Sequence, residues 1–166
     1  MMRPLLAAAI LALAACGNGS VMDRVPAPEE PTPINRAVEE AVQTLPSGLQ
    51  LQFTRRGLDE TLGMPTMNAT VLVHYEGSLV EGGEVFDSSF ARGEPVDFPL
   101  QAVVPGFSEA ITHMRPGDDV VATFPGSLGY GARGSGPIPP NAALRFRILL
   151  LAYQEPGQEP VQVASE

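Results

Sequence analysis

The sequence contains no tryptophan and no lysine, and its 166 residues include one cysteine and two histidines. All ten basic residues are arginines, and 19 acidic residues leave a formal net charge of −9. This acidic balance argues against a nucleic-acid partner, because phosphates are bound by a basic face. The single cysteine excludes an internal disulfide. An apolar content of 44% is nevertheless enough to build a hydrophobic core.

Signatures of nucleophilic and metal chemistry are also missing. No serine lies in a GxSxG frame, and the glycines between positions 126 and 136 do not form a strand-to-helix phosphate loop. His74 and His113 are isolated, so we expect structural roles for them and neither a metal nor a cofactor. Asp118 and Asp119 follow a proline–glycine turn and are predicted to be the solvated start of a strand.

The first 16 residues are typical of an export signal. A short positive start precedes an apolar run at 5–13, which is too short for a permanent membrane span. The segment LAAC at 13–16 resembles the lipobox of bacterial lipoproteins, in which residues 1–15 are removed and Cys16 is lipidated. The alternative is an ordinary secretory signal cut at an A-x-A site, with Cys16 uninvolved.

We favour the lipoprotein interpretation, because Cys16 is the only cysteine and stands where the lipobox requires it. Gly17 follows it, where an aspartate would suggest retention in the inner membrane. By this resemblance, we expect the protein to be lipid-anchored in the outer membrane and to face the periplasm.

Composition divides the remaining chain into a linker, a domain and a tail. Residues 17–33 are rich in proline, glycine, serine and acids, which predicts a flexible spacer. Weak helical spacing at 34–45 predicts a short helix packed on the domain, with a dimer contact as the less favoured alternative. We therefore expect a lipidated linker at 16–46, a domain at 47–153 and a polar tail at 154–166.

The domain is predicted to be α+β, with a curved antiparallel sheet of about five strands wrapped around one short helix. The amphipathic helix lies within residues 103–114, where Phe107 and Ile111 share an apolar face and Ser108 falls on the polar side. Pro105 suits its first turn. A long glycine- and proline-rich loop at 125–141 is typical of a functional or disordered segment. Apolar–polar alternation predicts strands at 49–53, 69–80, 85–89, 96–98, 118–124 and 144–150.

One set of aromatic residues is left as a candidate site, although each of them taken singly would be expected in the core. Asp87 directly follows one of them beside an apolar face, where a buried carboxylate would need partners. The set consists of Tyr75, Phe86, Phe98, Phe107, Tyr130 and Phe146.

Six short blocks occur in a definite order: VHYEG at 73–77, GEVFDSS at 83–89, VVPGF at 103–107, LGYG at 128–131, IPPN at 138–141 and LRF at 144–146. In order and spacing they resemble the FKBP-type peptidyl-prolyl cis-trans isomerases, over residues 47–153. The resemblance is to the bacterial envelope members, without their long N-terminal dimerisation helices, so we expect a monomer. It implies rotation about X–Pro bonds in proline-containing polypeptides, in support of envelope protein folding.

The resemblance also implies a proline pocket between the sheet and the helix. Its walls would be Tyr75, Phe86 and Phe146, with Phe107 as the floor. Asp87 would face the twisting amide.

The same resemblance assigns a rim to this pocket. Val103 and Val104 would line it, and the Val104 N–H would be open to a substrate carbonyl. Tyr130 would offer its hydroxyl, and Ile138 would overhang.

Three departures from the family pattern bear on the rate and on the binding of macrolide inhibitors, which the resemblance also implies. Phe107 replaces a common tryptophan, Val96 replaces a phenylalanine and thins one wall, and Ser135 lies near the position of a histidine in some members. Arg92 matches an arginine that can pair with Asp87. Two alternatives to an isomerase stay open: a proline-binding chaperone with little catalysis, and a structural lipoprotein that retains only the fold.

Overall fold

The structure, a computed structural model, describes residues 35–163, so the predicted signal peptide, Cys16 and the spacer at 17–33 lie outside the described residues. Within this range no helix is long and apolar enough to cross a membrane. The helices are α1 (Ser89–Arg92) and α2 (Pro105–Ile111). The strands are β1 (Asn35–Ala37), β2 (Gln43–Thr44), β3 (Gln50–Gly57), β4 (Thr70–Leu79), β5 (Val85–Ser88), β6 (Val96–Pro99), β7 (Asp119–Phe124), β8 (Leu144–Gln154) and β9 (Val161–Gln162).

All of these strands belong to one antiparallel sheet with the order β1-β3-β7-β8-β4-β5. Three further strands pair beside this path: β2 with β3, β6 with β4, and β9 with β8. The longest pairing joins β4 to β8, from Thr70 opposite Gln154 to Leu79 opposite Leu144. The predicted fold class, a curved antiparallel sheet packed on one short helix, is confirmed.

Alternation along the strands defines the core face of the sheet. In β8, Phe146 and Ile148 are buried, whereas Arg145 and Arg147 are exposed. Side chains of a strand point alternately to opposite faces, so the two buried residues share the core face. In β4 the same face carries Tyr75, which thereby reaches the helix side of the sheet.

Helix α2 lies on this core face and buries the predicted apolar side chains. Pro105 occupies its first turn, and a Cβ on Gly106 would come within 2.5 Å of the Phe124 ring. Glycine therefore allows the helix to approach β7 closely. The prediction that Ser108 faces solvent is wrong, because its buried hydroxyl donates a 2.6 Å hydrogen bond to the Leu100 carbonyl.

The helix predicted at 34–45 is wrong. This segment forms β1 and β2, which both pair with β3. Directly after β1, the Val38 N–H donates to the Thr54 carbonyl of β3 at 3.0 Å. A short, weakly amphipathic helix is marginal in water, whereas the edge of β3 offers unpaired backbone groups. The predicted polar tail likewise contains β9, which pairs with β8.

The solvated strand start predicted at Asp118 and Asp119 is also wrong, because both residues are only 2% exposed. Asp118 accepts hydrogen bonds from the backbone N–H groups of Gly57 and Arg115, both at 2.9 Å. Asp119 binds Arg147 of the neighbouring strand, with an Nη2–Oδ2 distance of 2.7 Å. Burial is tolerated because each carboxylate has a cation or N–H donors as partners.

Candidate active site

A hollow of about 350 Å³ lies between the core face of the sheet and the start of α2. Eight of the nine residues predicted to form a proline pocket line it, and Ile138 does not. Phe98 and Ala102 complete the lining; Phe98 belonged to the aromatic candidate set but was not assigned to the pocket, and Ala102 was not predicted. The eight predicted residues are Tyr75, Phe86, Asp87, Val103, Val104, Phe107, Tyr130 and Phe146.

The aromatic rings of the hollow meet edge to face around Phe107. The Phe107 ring centre lies 5.3 Å from Phe146, 6.0 Å from Tyr75 and 5.9 Å from Phe98. The interplanar angles of these pairs are 78°, 86° and 83° respectively. Perpendicular pairs at such distances are favourable, because the positive edge of one ring meets the negative face of the other. The rings therefore support one another as a rigid apolar floor and wall.

Phe98 supplies the wall that was predicted to be thin at Val96. The two residues lie two positions apart on β6, so their side chains share a face. The Phe98 ring stands 5.5 Å from the Tyr75 ring, whereas Val96 does not line the hollow. The sequence marked Phe98 as an aromatic candidate, but only the pairing of β6 with β4 places it at the site.

A glycine allows two of the walls to approach each other. Gly77 lies on β4 opposite Phe146 and Asp87 in the neighbouring strands. A Cβ at this position would lie 2.6 Å from the Phe86 ring and 2.7 Å from the Phe146 ring. Both rings can therefore lie over the strand only because Gly77 has no side chain.

The Asp87 carboxylate is held at the edge of the hollow by two partners. It accepts a short hydrogen bond from the Tyr75 hydroxyl and forms an ion pair with Arg92, as hypothesised from the sequence. Burial alone would raise the pKa of Asp87, but the hydrogen bonds from Tyr75 and Arg92 and the Arg92 charge outweigh it and lower the pKa. Burial, and then the bond to Asp87, raises the pKa of Tyr75. At neutral pH, Asp87 is thus ionised and Tyr75 keeps its proton.

Helix α1 carries Arg92 to this position. The Ser88 hydroxyl caps the helix by accepting from the Ala91 N–H at 3.2 Å, and Gly93 ends it with a φ of 75°. The sequence patterns predicted a strand as far as residue 89 and no helix after it. A serine followed five residues later by glycine was the signal that could have indicated both caps.

The rim is formed by Val103, Val104 and Tyr130. The Val104 carbonyl accepts from the Phe107 N–H at 3.0 Å, which begins α2. Within residues 35–163, the Val104 N–H has no hydrogen-bond acceptor, so it is available to a ligand. Tyr130 is 38% exposed between two 3₁₀ turns. Ile138, predicted to overhang, is buried and does not line the hollow, and its backbone pairs with that of Ser135.

Metal ligands do not cluster in the described part of the chain: residues 35–163 contain no group of three or more His, Cys, Asp or Glu side chains that could hold an ion. The expectation that neither a metal nor a cofactor takes part stays a prediction.

The family of FKBP-type peptidyl-prolyl cis-trans isomerases matches residues 63–151. The chain belongs to this family. All ten lining residues of the hollow fall inside the matched range. The hollow of this FKBP-type chain therefore lies entirely within the part that defines the family.

Curated relatives of this FKBP-type chain agree with the match. The peptidyl-prolyl cis-trans isomerase Mip of Coxiella burnetii is 43% identical over 115 residues, which cover 69% of this chain and 48% of the relative. The FKBP-type 22 kDa peptidyl-prolyl cis-trans isomerase of Escherichia coli is 44% identical over 116 residues, covering 69% of this chain and 54% of the relative. The chain thus spans about half the length of the curated relatives it matches.

Solved structures show the same fold. The crystal structure of FkpA from Escherichia coli matches with a TM-score of 0.64 and 36% identity, covering 70% of this chain and 53% of that one. A peptidyl-prolyl cis-trans isomerase from Pseudomonas syringae pv. tomato matches with a TM-score of 0.62 and 32% identity, covering 69% and 81% of the two chains. The FKBP fold derived from the sequence is therefore shared with solved bacterial isomerases.

Proposed function

We propose that this chain is a peptidyl-prolyl cis-trans isomerase, which rotates X–Pro bonds of polypeptides bound in the aromatic hollow. The observation that supports this most strongly is the convergence of six aromatic side chains, one ionised carboxylate and one unpaired backbone N–H on a single hollow. These groups come from separate segments between residues 75 and 146. The family membership of the chain supports the same activity.

The chemistry requires no nucleophile, because no bond to carbon is made or broken. Rotation about an amide crosses a barrier of about 18–20 kcal/mol, since it interrupts resonance. Uncatalysed X–Pro exchange takes tens to hundreds of seconds, roughly, at 25 °C. An acceleration of about 10⁵-fold requires that the barrier fall by about 7 kcal/mol. The catalyst must therefore bind the twisted amide better than the planar one.

The apolar walls supply part of this difference. A planar amide has separated charge that water stabilises, and moving an unsatisfied amide out of water costs roughly 2–7 kcal/mol. The twisted amide has less charge separation, so it loses less on entering a hollow lined by Phe107 and Phe146. The hollow therefore raises the free energy of the planar ground state relative to the transition state.

The polar groups orient the substrate. The Val104 N–H can donate to the carbonyl of the bound peptide, which fixes one side of the rotating bond. The Asp87 carboxylate also lines the hollow, and Tyr75 and Arg92 hold it there. Its negative charge stabilises the polarised carbonyl carbon of the twisted amide. The carboxylate is already in place and does not move during the reaction.

The proposal is tested by exchange NMR on an Ala-Leu-Pro-Phe peptide, with Asp87→Leu as the variant. We expect the wild-type chain to accelerate exchange and Asp87→Leu to lower kcat/KM by about tenfold. This is less than the ~100-fold typical of a fully enclosed electrostatic group, because the Asp87 side chain is 41% exposed. Glu81→Gln, in the exposed turn before β5, is the matched control.

Binding of the peptide without acceleration would overturn the isomerase in favour of the proline-binding chaperone. Val96 and Phe107 motivated that alternative; in the structure Phe107 lines the hollow, and the Phe98 ring, 5.5 Å from the Tyr75 ring, lines it where Val96 does not. If the chain neither binds the peptide nor accelerates its exchange, only a structural role is left for the aromatic residues. The hollow is also the proposed site for macrolide inhibitors, which would compete with the peptide.

We further propose that the chain is a monomeric lipoprotein anchored through Cys16 to the outer membrane and facing the periplasm, where it assists envelope protein folding. The lipobox at 13–16 supports this. Cys16→Ser is expected to yield soluble or unprocessed protein in membrane fractionation, whereas the wild type is processed and pellets with membranes. If the variant partitions with membranes at the wild-type size, the anchor lies elsewhere.

A further inference from the structure

Helix α1 is too short to be stable alone, yet it carries the arginine that holds Asp87. It spans only Ser89–Arg92, and helices shorter than about 12–15 residues are marginal in water. The Arg92 side chain is 49% exposed, and beside its ion pair with Asp87 its Nη2 donates to the Tyr75 hydroxyl at 3.3 Å. These bonds require α1 to be held in one orientation on the sheet, which so short a helix cannot do without a further contact.

Phe90 provides that contact on the outer face of the sheet. Its ring stacks on His74 of β4, with ring centres 5.0 Å apart and an interplanar angle of 19°. The Arg147 guanidinium of β8 lies 4.6 Å from the centre of the same ring. We call His74, Phe90 and Arg147 the outer clamp.

The outer clamp is anchored at a buried carboxylate. Asp119, 2% exposed, accepts from Arg147 Nη2 at 2.7 Å and from Arg147 Nε at 3.2 Å. Two contacts through the planar fork hold the guanidinium in one orientation. Arg147 therefore offers Phe90 a fixed surface, at little further cost in side-chain entropy.

The geometry of a helix connects the clamp to the hollow. Residues two apart on an α-helix project about 200° apart around its axis, so Phe90 and Arg92 leave α1 on nearly opposite sides. Ser89 precedes both residues in the chain and directly follows β5. Its buried hydroxyl accepts from the Tyr75 N–H of β4 at 2.8 Å. With Ser89 as the pivot, the direction of Phe90 determines the direction of Arg92.

We propose that Phe90 is a positioning residue. Its contacts with His74 and Arg147 set the side from which Arg92 reaches the Asp87 carboxylate. The inference deepens the proposed isomerase function and rests on it. Phe90 does not line the hollow, so it acts only through Arg92.

Loss of the outer clamp should change the pKa of Asp87 in a definite direction. Asp87 faces Tyr75 of β4 and Arg92 of α1, and Arg147 interacts with Asp119 and Glu76. Loss of the Arg92 contact removes a positive charge from Asp87 while the Tyr75 hydrogen bond remains. The pKa of Asp87 should therefore rise from its lowered value toward the ordinary one.

The first measurement is the titration of the Asp87 carboxyl carbon by NMR in Phe90→Leu, which keeps apolar volume but has no ring to stack. We expect a higher midpoint than in the wild type, and a kcat on the peptide lowered by about threefold to tenfold with a smaller change in KM. Phe90→Tyr, which keeps the ring, should retain wild-type values. Arg145→Gln, two residues from Arg147 on the same exposed face of β8, is the matched control.

The second measurement is a double-mutant cycle with Arg92→Gln. If Phe90 acts through Arg92, Phe90→Leu should not shift the Asp87 midpoint further in the Arg92→Gln background. Equal shifts in both backgrounds, or no shift in either, would overturn the inference. Should Phe90→Leu unfold, Arg147→Lys carries the same test, since it keeps a charge for Asp119 but lacks the planar fork.

The titration needs no turnover, so it separates the inference from the proposed function. A shifted Asp87 midpoint in a wild-type background without isomerase activity would retain the clamp and reject the function. Wild-type activity with an unshifted midpoint in Phe90→Leu would retain the function and reject the clamp.

Discussion

Gly77→Ala is expected to lower kcat/KM on a proline peptide by about a hundredfold, because the added methyl group would push against the Phe86 and Phe146 rings that line the hollow. The added Cβ would lie 2.6 Å from the Phe86 ring and 2.7 Å from the Phe146 ring. Carbon atoms in contact prefer about 3.5–4.0 Å, so both rings must move by about 1 Å. A displacement of about 1 Å at a reacting site can cost about 10²-fold. The Phe86 ring has room to move toward solvent, since it is only half-buried.

The Gly77→Ala protein should stay folded, so its lower kcat/KM would not reflect unfolding. Overpacking of this kind costs typically about 1–3 kcal/mol, which leaves a domain of this size folded. Exchange NMR gives the rate, and circular dichroism during heating gives the midpoint of unfolding. Ser78→Ala, the next residue of β4, is the matched control because Ser78 does not line the hollow. A folded Gly77→Ala protein with wild-type kcat/KM would show that the spacing of Phe86 and Phe146 does not matter for catalysis.

Local patterns in the sequence predicted the elements that face the core. Alternation in β8 identified Phe146 as buried and Arg147 as exposed, and a spacing of four identified the face of α2 with Phe107. These predictions succeed because one residue period determines which side chains are removed from water. The grouping of distant residues around the hollow came from the family resemblance and not from periodicity.

The parts that could not be predicted depend on long-range pairing. Residues 35–44 contain no strong strand signal, and they form β1 and β2 only because the edge of β3 lies beside them. Phe98 reaches the hollow through the register of β6 against β4, in which it lies opposite Val71. Val71 and Phe98 are 27 residues apart, and Asn35 and Gly57 of the β1–β3 pair are 22 apart, so no short window of the chain contains both partners.

Polar burial was the least predictable feature. Asp118 and Asp119 stand after a turn, where acidic residues are ordinarily solvated, and nothing local indicates the arginines that neutralise them. Arg56 comes from β3 and Arg147 from β8, on opposite sides of β7. The two carboxylates therefore join three strands of the sheet, a role that only the strand order reveals.

Asp118→Ala is accordingly expected to destabilise the fold by about 3 kcal/mol, with little direct effect on the hollow. The carboxylate accepts from the N–H groups of Gly57 and Arg115, and each buried donor left unpaired costs roughly 1–3 kcal/mol. Arg56 adds less, because Glu40 still binds it at 2.9 Å. Urea unfolding, analysed by linear extrapolation, measures the free energy of unfolding.

Two further variants separate the hydrogen bonds from general charge effects. Asp118→Asn keeps one carbonyl oxygen as an acceptor, so its loss should be about half that of Asp118→Ala. Asp97→Ala removes an exposed carboxylate from β6 and should change stability by less than about 0.5 kcal/mol. If Asp118→Ala and Asp97→Ala prove equally mild, the buried carboxylate does not hold β3 to the turn before β7. A large loss in Asp118→Ala alone would instead place this carboxylate among the main supports of the sheet, although the sequence around it is that of a solvated turn.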